Sequence, residues 1–219
     1  MNNYVPLLDC QTSKTKGELE ALKNEIVETE RKIYQVQLKI AQTKWFCDSL
    51  TSSTGEDVIE ACSQIFSMLG WKVSACPDDR NELTLHSEDN QVSLVRLIPS
   101  AARVERYQLS QLSISQTRMW SSLGSEPKGI LVLNIQEGKT SEDLAEVDFS
   151  DYAEKRNICL ISTIQMLALY KEVALKGTNR ETLRLCLKGT RGFLKGYDLE
   201  SGGTQAHESK LDFSPTMSN

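Results

Sequence analysis

The sequence predicts an α/β domain with a mixed central sheet, preceded by a long coiled-coil helix. Between residues 55 and 177 the chain passes through an amphipathic helix, three short β-type segments, a helix, an unbroken apolar segment, and a further strand and helix. Ahead of this domain, apolar residues recur at heptad spacing from Leu19 to Leu50, and no Gly or Pro interrupts Glu18 to Leu50. The composition agrees: 39% hydrophobic residues over 219 positions is a lean core, as expected when part of the length lies in a polar helix or a tail.

The heptad seam places Leu19, Ile26, Ile33, Ile40 and Cys47 at every "a" position, and Leu22, Thr29, Val36, Thr43 and Leu50 at every "d". Residues 1–17 are expected to be a flexible N-terminus and 18–50 the coiled-coil helix. A stripe this narrow cannot form a core alone, so it calls for another helix. Self-association or a helical protein partner is expected through Leu19, Leu22, Ile26, Ile33, Val36, Ile40 and Leu50. In a parallel dimer Glu18 would meet Lys23, but Glu25 would meet Glu30 and Lys39 would meet Lys44. Parallel pairing, antiparallel pairing and packing on the chain's own domain therefore all stay open.

Thr51-Ser-Ser-Thr-Gly55 breaks the helix, and Thr54 with Asp57 reads as the N-cap of a second one. Val58, Ile59, Cys62, Ile65, Phe66 and Leu69 share its inner face, and Gly70 ends it. Strands are predicted at Trp71–Cys76, Glu82–His86 and Gln91–Ile98, separated by polar turns and closed by Pro99. Ala101 to Leu123 suits a helix with Val104, Tyr107, Leu109 or Leu112, Ile114 and Trp120 inward. Ile130–Ile135 is apolar throughout, as a buried central strand requires. A short helix near Asp151–Lys155, a strand at Ile158–Ile161 and a helix at Thr163–Lys176 complete the domain at 55–177. Thr178 and Glu181 read as a capping box opening a C-terminal helical extension over 178–195. Residues 196–219 are Gly/Ser-rich and polar, the composition of a disordered tail.

Charge is distributed unevenly. Residues 1–54 sum to zero, 55–177 to −6 and 178–219 to +1, giving −5 overall. An acidic domain is poorly suited to gripping a phosphate backbone, so nucleic-acid binding is expected to be weak. Arg180, Arg184, Lys188, Arg191 and Lys195 follow helical spacing and would form a basic stripe if the helix ran through Gly189 and Gly192. The six cysteines contain no CxxC pair, and His86 and His207 are the only histidines, so reduced thiols are expected and no zinc-type site. No run of about 18 apolar residues is present, and the N-terminus lacks the basic start and apolar stretch of a secretory signal. The expected compartment is the cytoplasm, away from membranes.

The wording of several segments resembles a known superfamily. Gly55-Glu-Asp-Val-Ile-Glu60 leading to Met68-Leu-Gly-Trp-Lys-Val73, then Glu82-Leu-Thr-Leu, Val92-Ser-Leu-Val-Arg-Leu-Ile, Lys128-Gly-Ile-Leu-Val-Leu-Asn134 and Ile158-Cys-Leu-Ile-Ser-Thr163, resemble the αβββαβ core of the PD-(D/E)XK restriction-endonuclease-like superfamily. That resemblance implies phosphodiester hydrolysis with Mg²⁺ held by an acid opening the second strand and a (D/E)-x-K pair ending the third. Alternation along a strand puts the two residues of that pair on one face. Carried onto this chain, Glu82 matches the first acid, and Glu60 or Glu56 matches an opening-helix acid. The (D/E)-x-K position reads Arg96-Leu97-Ile98, so a cation replaces the second metal ligand and an aliphatic replaces the lysine. Arg96 beside Glu82 is expected to form an ion pair filling the vacated metal site. Asp78, Asp79, Glu88 and Asp89 fall in turns, where acids serve local hydrogen bonding.

The sequence thus predicts a degenerate, non-catalytic endonuclease-like domain without a cofactor, acting as a protein–protein interaction or assembly module oligomerised by its coiled coil. Two alternatives stay open. One is an Mg²⁺-dependent nuclease with a migrated site, in which Glu105 replaces the lost acid and Arg103 or Arg106 the lysine. The other is a nucleic-acid-binding protein without cleavage.

Overall fold

A computed structural model describes residues 5–51, 55–98, 106–134 and 147–197. In chain order its elements are α1 (Val5–Thr51), α2 (Glu56–Met68), β1 (Lys72–Ala75), β2 (Glu82–His86), β3 (Val92–Ile98), α3 (Arg106–Leu123), β4 (Lys128–Leu133), α4 (Val147–Lys155), β5 (Ile158–Ser162), α5 (Thr163–Tyr170), α6 (Arg180–Gly189) and β6 (Gly192–Phe193). One mixed sheet carries all six strands in sequence order. β1, β2 and β3 form an antiparallel meander, and β3 through β6 run parallel.

Strand alternation divides the core in two. Leu83 and Leu85, Val95 and Leu97, Ile130 and Val132, and Cys159 and Ile161 pack with α2, α5, α6 and the end of α1. Leu94 and Ile98, Leu131 and Leu133, and Ile158 and Leu160 pack with Leu109 and Leu112 of α3 and Ala153 of α4. β4 lies between both layers and is buried along its whole length, which is why its sequence is apolar without alternation. Gly129 is demanded by closeness: a Cβ there would stand 2.8 Å from Ile158 Cγ1 and 3.0 Å from Gln116 Nε2.

The helix ends follow local chemistry. Gly70, at φ 92°, closes α2, with the Trp71 amide donating to Phe66 O at 3.1 Å, the wide bond of a Schellman cap. The Ser162 hydroxyl accepts from the Gln165 amide while Gln165 Oε1 accepts from the Ser162 amide, both at 3.0 Å, a complete capping box at α5.

Several expectations need correction. α1 begins at Val5, not at residue 18: Pro6 is tolerated in a first turn, and Gly17 sits in open space. α2 opens at Gly55, φ 83°, without a side-chain cap; Thr54 lies outside the described residues. Tyr107, Ile114 and Trp120 of α3 are exposed, Leu109 and Leu112 of the expected inward set are buried, and Val104 lies outside the described residues. α5 ends at Tyr170 and continues as a π-helical turn, Lys171–Leu175, in place of one helix to Lys176. Thr178 does not cap α6. Its hydroxyl donates to Glu172 Oε2 at 2.7 Å, and Asn179 caps instead by accepting from the Glu181 amide at 2.9 Å.

The segment 178–195 is part of the domain rather than an appendage. It supplies β6, which pairs with β5, and Leu183, Leu187 and Leu194 of the main core. Tyr197 also packs against that core, so order extends past residue 196; the tail beyond Tyr197 lies outside the described residues. No helix among the described residues is long and apolar enough to cross a membrane.

α1 divides into two functional lengths. Its last turns dock: Phe46 and Leu50 are fully buried in the main core. Leu19, Leu22, Ile26, Ile33, Val36 and Ile40 are 53–62% exposed. Leu50, expected in the partner seam, is therefore consumed by the chain's own domain, and Cys47 is partly buried against the same core.

Candidate functional site

β2 and β3 pair with Glu82 directly opposite Arg96, and both side chains leave the sheet on the α3 side, the face shared by Leu94 and Ile98. Arg96 Nη1 donates to Glu82 Oε2 at 3.3 Å and lies 2.8 Å from Asp79 Oδ2. Ser115 Oγ of α3 donates to the same Glu82 oxygen at 2.9 Å. The Glu82 side chain is 8% exposed and that of Arg96 15%, so the pair works at reduced dielectric, where neither charge is tolerated alone.

The approach to this pair is fixed by backbone. The Glu82 amide donates to Asp79 O at 3.0 Å, and the Leu97 amide to Asn81 O at 2.8 Å. The Asn81 amide in turn donates to Asp79 Oδ1 at 2.9 Å. Asp79 thus serves its own turn and still presents its other oxygen to Arg96. The ion pair expected between Glu82 and Arg96 is present, with Asp79 and Ser115 as two further members.

The remaining candidates do not join it. Glu60 is exposed on α2 and accepts from Gln64 Nε2 at 2.8 Å. Glu56, also exposed, lies 3.5 Å from Arg80 Nη1. Ile98 is 5% exposed within the α3-side core. Glu105 and Arg103 lie outside the described residues, as does the Arg106 side chain. Among the described residues, no three His, Cys, Asp or Glu side chains are grouped to hold a metal ion. Glu82 Oε2 already accepts from a guanidinium and a hydroxyl, an arrangement that suits a divalent cation poorly.

The basic residues from Arg180 to Lys195 do not share one helix, as Gly189 and Gly192 led one to expect. α6 stops at Gly189. Arg184 Nη1 turns back to Gly70 O at 3.5 Å, and Lys188 Nζ reaches Gln91 Oε1 at 3.1 Å and Asp89 Oδ2 at 3.5 Å. Asp89 is held below the usual carboxylate range by the Ser87 hydroxyl, with Lys188 adding to it.

A buried cation was not foreseen. Lys128 is 7% exposed, and its ammonium donates to Asn157 Oδ1 at 3.1 Å and to Thr190 O. Its pKa is lowered to about 8, chiefly by burial, with Cys159 opposing the shift and Arg191 adding a little to it. Burial likewise pushes the Cys159 thiol up to about 12 and the Cys62 thiol upward. Cys47, Cys62, Cys76, Cys159 and Cys186 are all free thiols.

These features define a mixed α/β domain with a six-stranded sheet and a long N-terminal helix. No protein-family model matches the chain, and no curated protein matches it. Among solved structures it is similar to EndoMS in apo form, at 16% identity and a TM-score of 0.35, over 51% of this chain and 47% of that one. The chain thus matches about half the length of EndoMS.

Proposed function

We propose that this protein is an assembly module: a non-catalytic, restriction-endonuclease-like domain brought together in pairs by α1. The observation that carries this reading is the aliphatic stripe Leu19, Leu22, Ile26, Ile33, Val36 and Ile40. It stays more than half exposed although the same helix buries Phe46 and Leu50 against its own domain. Six aliphatic side chains at heptad spacing match a second copy of the same stripe. Burying each contributes about 1.5–3 kcal/mol before association and ordering costs are subtracted. Thr29 at a "d" position turns its hydroxyl to Glu25 O at 2.8 Å, which satisfies it within the helix and leaves its methyl for the seam.

The non-catalytic part of the reading is supported by Arg96. A cation compensates Glu82 where the resembled superfamily needs a second acid and a metal.

Multi-angle light scattering of the full chain at micromolar concentration tests the proposal. A dimer is expected, with Ile33→Asp returning it to a monomer while circular dichroism and the melting transition of the domain persist. A monomeric wild type across that range would refute self-assembly.

A further inference from the structure

A groove of about 540 Å³ runs between α3 and α4, within the size range of small-molecule sites. Arg118 and Arg156 line it, and among the described residues no carboxylate does. Neither arginine makes an ion pair among the described residues. Arg156 instead rests over the Tyr152 ring, 5.8 Å from its centroid, a contact that positions the guanidinium without neutralising it. Two exposed guanidiniums without an ion pair among the described residues make the groove attractive to anions, and their forked donors suit phosphate oxygens.

A second observation points the same way. Ser113 lines the groove, is 8% exposed, and its Oγ has no hydrogen-bond partner. Its backbone carbonyl is already served by Thr117 Oγ1 at 2.9 Å. An orphaned buried hydroxyl is uncommon, because desolvation is uncompensated until something completes the bond. Ile114 and the Tyr152 ring supply apolar and aromatic surface beside these polar groups. The cavity near Lys128 lacks this character: Asp89 and Glu126 line it with Lys128 and Lys188, and both lysines already donate to the protein.

We infer that the groove between α3 and α4 binds a small organic phosphate, its phosphate held by Arg118 and Arg156 and its aromatic body lying on Ile114 beside the Tyr152 edge. The assignment is independent of the assembly reading.

Isothermal titration calorimetry of the full chain with AMP, adenosine and inorganic phosphate tests it. Saturable binding of one AMP per chain is expected, with adenosine and inorganic phosphate each at least about tenfold weaker, as loss of one charge-assisted contact set predicts. Arg118→Gln and Arg156→Gln should each weaken AMP by about tenfold or more. Ser113→Ala should weaken AMP without lowering the melting temperature, since no intramolecular bond is lost. Absence of AMP binding at millimolar concentration would overturn the inference, as would AMP affinity unchanged in both arginine variants. Inorganic phosphate binding as tightly as AMP would overturn the aromatic half of it.

Discussion

The hydroxyl oxygens of Thr43 and Tyr170 lie 3.0 Å apart, across 127 residues of chain. The bond fastens α1 to α5 at the point where the long helix first meets the domain. Nearly one turn further on, Phe46 packs its ring against the same tyrosine, with centroids 4.3 Å apart. One residue of α5 therefore receives both a polar contact and a fully buried aromatic contact from α1.

Anchoring of α1 is expected to rest on the ring rather than on the hydroxyl. Phe46→Ala should cost about 3–5 kcal/mol, the range for emptying a buried aromatic site. Tyr170→Phe, which keeps the ring contact and removes one part-buried hydrogen bond, should cost about 1 kcal/mol. Urea unfolding of both variants separates the two, and equal losses would contradict the assignment.

Arg96→Met should destabilise the domain by about 3–5 kcal/mol, because Glu82 would stay buried with only Ser115 as donor. Adding Glu82→Leu should restore most of that loss, since an aliphatic pair can replace a buried ion pair at little net cost. A double variant no more stable than Arg96→Met alone would show that the two charges are not each other's main compensation.

On the proposed non-catalytic reading, plasmid DNA and RNA incubated with the protein in Mg²⁺ or Mn²⁺ should remain intact, because Arg96 and Ile98 fall where the resembled superfamily has an acid and a lysine. The readout is gel mobility over hours. Cleavage that disappears in Glu82→Ala would sink the non-catalytic reading.

Lys128 gives a pH signature. Its folded pKa, about 8, lies below its ordinary value of 10.5, so the unfolded chain binds more protons between those limits. Its unfavourable contribution is therefore full below pH 8 and is relieved as pH rises through the window. Cys159, whose thiol is raised to about 12, acts in the opposite sense above its ordinary value of 9.0, so the clearest interval is pH 7.5 to 9. Asn157 and Thr190 are neutral acceptors. Denaturant titrations should show Lys128→Met more stabilised relative to wild type at pH 7.5 than at pH 9. A pH-independent difference would refute the assignment.

Much of the sheet was legible because strand periodicity is local. Glu82–His86 is observed with its expected ends, and the apolar run at Ile130 announced the doubly covered strand. What escaped depended on contacts distant in sequence. Leu50 has the spacing of a seam residue, yet its burial depends on where α2 and α5 lie. Ile114 and Trp120 look apolar enough to be inward, but α3 presents Leu109 and Leu112 to the sheet, and the others fall outside the covered arc. Ser115 and Gln116 did carry a signal: they stand where a face running Leu109, Leu112, Met119 should be apolar, and each bonds across to another element. Asp79 looked like an ordinary turn acid because its local role is real. Its second role, toward Arg96, exists only once the turn has folded against the end of β3.

Among the described side chains only the last turns of α1 touch the domain, so the length before Thr43 is a spar of about 57 Å at 1.5 Å per residue. Pairing direction then becomes spacing. Two spars side by side in the same sense would bring the Thr43 anchor points to roughly 10 Å of each other, the distance between packed helices. Opposed spars overlapping along the Leu19–Ile40 stripe would hold those points about 40 Å apart. The same stripe thus encodes either two domains abutting or two domains held at arm's length, a difference that small-angle scattering reads as overall dimension.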